Sequence, residues 1–409
     1  MNSKVIIYTE KITNRINYIF DFIFREFSGI DYNITTNFEE FSNSFLPKIN
    51  FSNQTLEDEI NFNVNDIFLE TNIKENVDYS KLNEIGKSFY WLSRYEEYNA
   101  KTEQFDQHNR FLGSDLDYSR PIVDEICLDI QQKIQTKYPE ISFKKRVFKQ
   151  IITHDVDYAW KYLHHNSTIK YGSLFKKIIK GNINEAKKQI NVLTHQEKDP
   201  YDTYNYLKGL AKKHEIETIF FWLLGDYSSF DKNHHWKNKT QQELIRTISN
   251  WAKIGIHPSY QSNIDAKLLT AEISRLKSIT NNSVKSSRQH FIKLSFPYTY
   301  QQLLINEISE DYTMGFPHQI GFRAGTSTPF KWFDLSTNQQ TMLTIYPFVA
   351  MDVTLKNYLL LTPQQAIDEL KTLKQTIKNV NGTFITLFHQ SNLTENWADW
   401  RKVYESIFK

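Results

Sequence analysis

The sequence predicts an α/β fold: a (β/α) barrel over residues 146–409, preceded by a smaller α/β or α+β domain over residues 1–145. Three observations lead there. After the polar stretch Pro139–Lys149, apolar strand-like runs alternate with helical patterns, which implies parallel strands joined by crossover helices. Six or seven such units occupy roughly 260 residues, close to the ~250 that a (β/α) barrel takes; a doubly wound open sheet is the alternative. Finally, ionisable residues follow directly on the apolar runs, as they do where strand ends converge on one face.

In the first segment, Val5–Tyr8 reads as a strand, followed by a helix to about Phe27. Residues 31–76 alternate apolar with Asn, Asp and Glu, as short strands and turns do. Lys81–Ala100 and Pro121–Thr136 read as helices. In the second of these Pro121 marks the start, and Ile122, Ile126, Ile130 and Ile134 share one face. The cluster Arg94-Tyr95-Glu96-Glu97 reads as a solvated helix face. In the second segment the strand candidates are Gln150–Thr153, Thr218–Leu224, Lys253–Ile256, Arg288–Leu294, Gln319–Phe322, Thr344–Val349 and Thr383–Leu387. The helices expected around them are Asp202–Lys213, Gln241–Trp251, Ala266–Lys277, Tyr300–Ile308, Pro363–Val380 and Trp397–Phe408. Leu174–Ile190 is basic and amphipathic. It reads as a solvated helix pair, with peripheral contact at a membrane surface as the sharper alternative.

Composition narrows the function. The 409 residues are 40% hydrophobic and 15% aromatic, enough for a sizeable core, so general disorder is excluded. No apolar run reaches the ~18 residues of a membrane-spanning helix. The first residues lack the apolar core of a signal peptide, and the one cysteine, Cys127, excludes an intramolecular disulfide and a multi-cysteine zinc site. A reduced, cytoplasmic setting is the expectation. The net charge is +2, and no homogeneous basic arm is present, so nucleic acid is not an expected partner. Eleven of the twelve histidines follow residue 150, and the charge divides with them. Residues 1–150 carry 18 Lys and Arg against 24 Asp and Glu, so the remainder is positive. A metal-dependent or anion-handling task is the sharper reading of that second part.

The reactive residues fall at predicted strand ends. His154, Asp155 and Asp157 follow QIIT, His257 follows KIGI, and Arg323 follows IGF. Asp352 follows IYPFVAM and His389 follows FITLF, while Arg288 and His290 lie in SRQHFIKL. Such a set suits metal-assisted hydrolysis. A catalytic zinc takes three His or carboxylate ligands and keeps one position open, while a second carboxylate acts as general base. In an extended segment residues two apart point the same way, so Asp155 and Asp157 can face one cavity. His389 could protonate a leaving group, and Arg323 could pair with and orient Asp155. Gly315, Gly321 and Gly325 fall within eleven positions, which suggests a loop lining the site. Tyr158, Trp160, Tyr260, Phe330 and Trp332 could stack on sugar rings, although packing is the plainer reading of each. His164-His165 and His234-His235 read as loop surface pairs and are not assigned to metal.

These residues resemble the polysaccharide deacetylase superfamily, the NodB-homology carbohydrate esterases. Thr153-His154-Asp155-Val156-Asp157 is similar to the family's first motif, Gly255-Ile256-His257 to the start of the second, Phe322-Arg323 to the third, Ala350-Met351-Asp352 to the fourth and Leu387-Phe388-His389 to the fifth. The resemblance spans roughly residues 146–409. It implies a distorted (β/α) barrel that removes N- or O-acetyl groups from a polysaccharide or a lipid-linked or nucleotide-sugar precursor. The cofactor it implies is a divalent metal, zinc first, with cobalt, manganese or nickel as alternatives. By resemblance, Asp155 is the base, Asp157 and His257 bind metal, His389 is the acid, and Asp352 supports Arg323. The family's second motif carries another His four residues after the first, where this chain has Gln261. His290, Gln261 or water then completes the metal shell. Tyr260, Gly325 and Phe330 are the expected substrate contacts. The first 145 residues look like an uncharacterised domain that precedes some bacterial deacetylase-like proteins. A catalytically degenerate glycan-binding or scaffold protein of cell-envelope polysaccharide assembly is the alternative to an enzyme, and a hydrolase of a non-sugar amide is a third reading.

Overall fold

A computed structural model describes residues 3–75 and 77–409; Met1, Asn2 and Asn76, the last residue of the alternating stretch noted above, lie outside the described residues. The structure is mixed α/β with two largely parallel sheets. The smaller is four-stranded: β1 (Lys4–Tyr8), β2 (Asp31–Thr35), β3 (Lys48–Phe51) and β4 (Ile60–Phe62), in the order β2-β1-β3-β4, all parallel. The helix Asn14–Phe20, continued by a wider π-type turn over Asp21–Ser28, covers it with Ile16, Ile19, Phe20, Ile23, Phe24 and Phe27. The expected helix Lys81–Ala100 is broken at Arg94, whose φ of 54° leaves Glu84–Leu92 and Tyr95–Tyr98 on either side.

The larger sheet holds β5 (Lys149–Val156), β6 (Glu217–Leu223), β7 (Lys253–His257), β8 (Ser286–Ser287), β9 (Glu310–Asp311), β10 (Phe330–Asp334), β11 (Gln339–Ile345), β12 (Ala350–Met351) and β13 (Thr383–His389). Their order is β10-β11-β9-β8-β7-β6-β5-β13-β12, parallel throughout except for the β10–β11 hairpin. The four central strands are near-continuous apolar runs because helices cover them, as parallel sheets require. The crossover helices Tyr204–His214, Lys239–Ser249, Ala266–Thr280 and Pro363–Asn379 lie close to where the hydrophobic period places them. Pro363 opens the last of these, and Thr362 and Gln365 cap it reciprocally.

Several expectations fail for identifiable reasons. Arg288–Leu294 is not a strand. β8 stops at Ser287, and the chain turns through Phe291 (φ 62°) and Ile292 (φ 57°). Gln319–Phe322 is a loop, and β10, which includes Phe330, is the strand that the apolar count missed. Thr344–Val349 is divided. Its start belongs to β11 beside β9, and the segment then crosses to β13, with Tyr346 N bonded to Asp311 O at 2.8 Å and Val349 N to Ile385 O at 3.0 Å. As a continuous ladder the nine-stranded sheet therefore has edges at β10 and β12. At the C-terminus only Arg401–Ser406 is α-helical, after a 3₁₀ stretch over Glu395–Trp400.

The two sheets share one continuous apolar core, and the polar contacts across it are buried. Arg94-Tyr95-Glu96-Glu97 is not a solvated face: Glu97 accepts from Arg94 at 2.8 Å and from both Nε and Nη2 of Arg323, at 2.9 and 2.7 Å. Asp124 accepts from the hydroxyls of Thr326, Ser327 and Thr328 and from the Ser327 amide, all at 2.6–2.7 Å. The glycine loop thus packs on the first segment rather than lining a site. At Gly325 (φ 62°) a Cβ would meet the Trp91 ring at 2.7 Å, which is why glycine stands there. Among the described residues no helix is long and apolar enough to cross a membrane.

Candidate metal centre

Strand register brings the ionisable residues together. His389 pairs with Asp155 across β13 and β5, and His257 pairs with Leu223 at the ends of β7 and β6. The C-terminal ends of four adjacent strands are therefore flush. Asp155, Asp157, His257 and His389 share one cavity of about 200 Å³ with His290, which arrives on the turn after β8.

Asp157, His257 and His290 form a donor face. Asp157 Oδ1 lies 3.4 Å from His257 Nε2 and 3.7 Å from His290 Nε2. One atom from each residue falls within a 4.8 Å group. Donors bound tetrahedrally at ~2.1 Å stand roughly 3.4 Å apart, so these separations match a zinc-sized ion. The far side of each ring is occupied. His257 Nδ1 donates to the Arg288 carbonyl at 2.6 Å, and His290 Nδ1 donates to Asp231 Oδ1 at 2.8 Å. A neutral imidazole that donates from Nδ1 keeps its lone pair on Nε2, and here both Nε2 atoms face Asp157. Asp157 Oδ1 is buried, and among the described residues no hydrogen-bond donor reaches it. Burial raises the Asp157 carboxyl, and positive charge on His290, His257 and His389, present only when those rings are protonated, outweighs it and lowers the group. A buried carboxylate oxygen to which no described residue donates, beside the Nε2 atoms of two imidazoles anchored at Nδ1, is the donor set a divalent cation takes up. The residues fit one.

Two further groups flank the donor face. Asp155 is buried, with Oδ2 3.7 Å from His257 Nε2 and Oδ1 3.2 Å from Arg288 Nη1. Arg288 is itself fixed by Thr153 Oγ1 at 2.5 Å and by the Tyr312 carbonyl at 2.9 Å. His389 Nε2 lies 3.8 Å from Asp157 Oδ2. Its Nδ1 donates to Asp352 Oδ1 and its backbone N–H to Asp352 Oδ2, both at 2.8 Å. Burial pulls the His389 imidazole down, but Asp352, reinforced by Asp157 and Asp155, pushes it up to about 10.

The expected roles change accordingly. Arg323 does not orient Asp155; it bonds Glu97 and the Gly315 carbonyl, and Arg288 takes the place beside Asp155. Asp352 buttresses His389, not Arg323. Gln261 is exposed and stays out of the cavity, while His290 fills the third donor position. Phe330 is buried in β10, and Gly325 sits under Trp91, so neither lines the cavity. Tyr260 stacks on Phe230 behind Phe291 and bonds His108. The cavity walls are instead Arg110, Phe291, Ile292, Met351, Val353 and Tyr358. His154 turns into the core, bonded to Tyr404 at 3.1 Å. Of the expected surface pairs His164-His165 and His234-His235, His164 and His235 are exposed, whereas His165 and His234 stack on each other at 4.1 Å, with His234 buried. Asp231 and Arg110 escaped the sequence reading. Asp231 lies in a polar loop, eight residues beyond the end of β6 and so out of reach of a strand-end pattern, and Arg110 comes from the other segment of the chain.

Compared with known proteins, residues 5–139 match a family of unknown function, DUF7033. No curated protein matches the chain. Among solved structures the chain is similar to a "putative polysaccharide deacetylase" from Mycobacterium smegmatis, at 14% identity over 66% of this chain and 86% of that one, with a TM-score of 0.42. It is also similar to a CE4 family pseudoenzyme from Bacillus anthracis, at 12% identity over 63% and 61% with a TM-score of 0.32. A polysaccharide deacetylase from Bacillus cereus aligns at 9% identity over 64% and 86%, with a TM-score of 0.29.

The loop that follows His257 is tied down by a buried acid. Glu272 accepts from the Ser259 amide at 2.9 Å and from its hydroxyl at 2.6 Å. Burial, only partly offset by Ser259, raises the Glu272 carboxyl to about 7. Because the folded value lies above the unfolded one, the contribution is complete below pH ~4.5 and is lost as pH rises through ~7. Urea denaturation of wild type and Glu272→Gln should show a stability difference that shrinks by on the order of 3 kcal/mol between pH 4.5 and 8. Parallel pH profiles would contradict this role.

Proposed function

We propose that this chain is a divalent-metal-dependent hydrolase that removes an acetyl group from an amino sugar of a polysaccharide or glycan precursor. One observation carries the reading. Asp157, His257 and His290 present a preset donor face, and a carboxylate held by an arginine and an imidazole held by a carboxylate stand on either side of it. The fold is read as a distorted (β/α) barrel over residues 146–409, in which Thr344–Met351 bridges β9 and β13, with a separate domain over residues 1–145.

Asp157, His257 and His290 would hold the ion, with zinc the first candidate from the mixed nitrogen and oxygen donors. When bound, a divalent ion supplies Lewis acidity to the acyl carbonyl and eases proton loss from water. The protein's own groups do the rest. Asp155, oriented by Arg288, accepts a proton from the attacking water. His389 is kept as the imidazolium by Asp352 and delivers a proton to the departing amine nitrogen, so amide and water become acetate and amine. Phe291, Ile292, Met351 and Val353 give the cavity an apolar wall that excludes bulk water and receives the acetyl methyl and a sugar face.

The test pairs acetate release from N-acetylated chito-oligosaccharides with metal content per chain. Asp155→Asn should retain the metal and lose activity by about 10²-fold or more, whereas His257→Ala should lose the metal. An active Asp155→Asn variant would remove Asp155 from the base role. A wild-type chain that takes up no zinc, cobalt, manganese or nickel would overturn the enzymatic reading in favour of a glycan binder.

A further inference from the structure

His290 sits on an unusual piece of backbone. Phe291 and Ile292 are consecutive non-glycine residues in the left-handed region, at φ 62° and 57°. L-residues with large or β-branched side chains resist that conformation, so something outside the turn must hold it. The holder comes from the other end of the chain. Arg110 Nη1 donates to the Phe291 carbonyl at 3.3 Å, and Arg110 Nη2 donates to Tyr358 Oη at 3.0 Å. The His108 ring meets the Phe291 ring at 5.0 Å, and Phe230 and Tyr260 close the same aromatic cluster at 5.7 and 5.2 Å. The clamp is rigid in itself. Asp106 accepts from the amides of His108 and Arg110, both at 2.9 Å, and from Arg110 Nε at 2.7 Å.

We propose that the N-terminal segment completes the metal centre: its 106–110 loop, through Arg110 and His108, clamps the strained Phe291–Ile292 turn and thereby positions His290 as third donor. Arg110 and His108 are positioning residues, acting on the ion through His290. This gives residues 5–139, the part that matches a family of unknown function, a task in this chain. It also explains how the centre works without a histidine at position 261.

The inference rests on the metal reading above, and the experiment separates the two. Zinc affinity is measured by competition with a chromophoric chelator for wild type, Arg110→Ala, His290→Ala and the double variant, with thermal unfolding recorded in parallel. Arg110→Ala should bind about tenfold more weakly, the lower end of what supporting partners of metal ligands contribute. In the His290→Ala background the same change should have no further effect, because the clamp acts only through that ring. Equal affinity in Arg110→Ala, or a loss that simply adds to that of His290→Ala, overturns the clamp and leaves the metal reading standing. No zinc binding by wild type overturns both. Should Arg110→Ala not fold, His108→Ala reads the same coupling and decides in the same way.

A second, independent observation concerns the hairpin of Ser167–Ile179 and Ile183–Leu193. Its first helix has no buried residue, and Tyr171, Phe175, Ile178 and Ile179, spaced i, i+4, i+7 and i+8, point to solvent, the last at 68% exposure. Lys170, Lys176, Lys177 and Lys180 flank that stripe, and residues 166–184 contain no Asp or Glu. An apolar stripe whose charged neighbours within residues 166–184 are all cations matches an anionic bilayer surface. We infer that this helix docks on anionic lipid. The protein should co-sediment with phosphatidylcholine vesicles containing phosphatidylglycerol but not with phosphatidylcholine alone, and a Phe175→Asp/Ile179→Asp variant should stay in solution. Failure to bind the anionic vesicles overturns the inference. So does a self-association of wild type that the double variant abolishes, which would assign the stripe to a second copy of the chain.

Discussion

The centre depends on where two imidazole N–H groups point. His257 donates from Nδ1 to the Arg288 carbonyl and His290 from Nδ1 to Asp231, and in the neutral ring each bond leaves the Nε2 lone pair beside Asp157. Were either ring reversed, a proton would face the carboxylate and the donor face would become an ordinary buried ion pair. Both anchors are backbone-linked features. One is the carbonyl at the start of the turn after β8, and the other is a buried aspartate that also accepts from the Tyr260 amide at 2.9 Å. The rest of the site follows from that geometry. Asp155 and His389 reach it as neighbours in the ladder, at register positions that face each other across β5 and β13.

The molecule commits buried charge to joining its two segments as well as to its cavity. Glu97 receives two arginines, Arg94 and Arg323, and stays below the usual carboxylate range although burial works against it. A buried ion pair of this kind adds little net stability over apolar packing, but losing one partner strands a charge in the core. Its weight is therefore on specificity of docking. Asp124 acts the same way, satisfying the Thr326–Thr328 loop that would otherwise bury unpaired polar groups. Docking fixed this tightly lets a loop of the first segment serve as a wall of the cavity in the second.

Much of the site was legible because its residues ride on hydrophobic runs. Asp155, Asp157, His257 and His389 follow apolar strands, and a strand's period and end locate its last side chains within a residue or two. His290 was legible as a residue but not as a conformation, since Phe-Ile-Lys-Leu has the composition of a strand and local propensity carries no hint of an external clamp. Arg323 misled for a related reason. An arginine at a strand end fits a pairing with Asp155, but its partner Glu97 stands 226 residues earlier in a cluster that looks solvent-facing in one dimension. Asp231 and Arg110 carry no local signal at all. The barrel expectation came from counting strand–helix units, and that count cannot see that one segment, Thr344–Met351, leaves β9 midway and joins β13.

The central claim is that Asp157, His257 and His290 form one cation site. Its most direct measurement is an anomalous difference map from crystals grown with zinc and recorded on either side of the zinc absorption edge. A peak is expected about 2.0–2.2 Å from a carboxylate oxygen of Asp157 and from Nε2 of both His257 and His290. No peak there, or zinc at the His165–His234 stack instead, would contradict it.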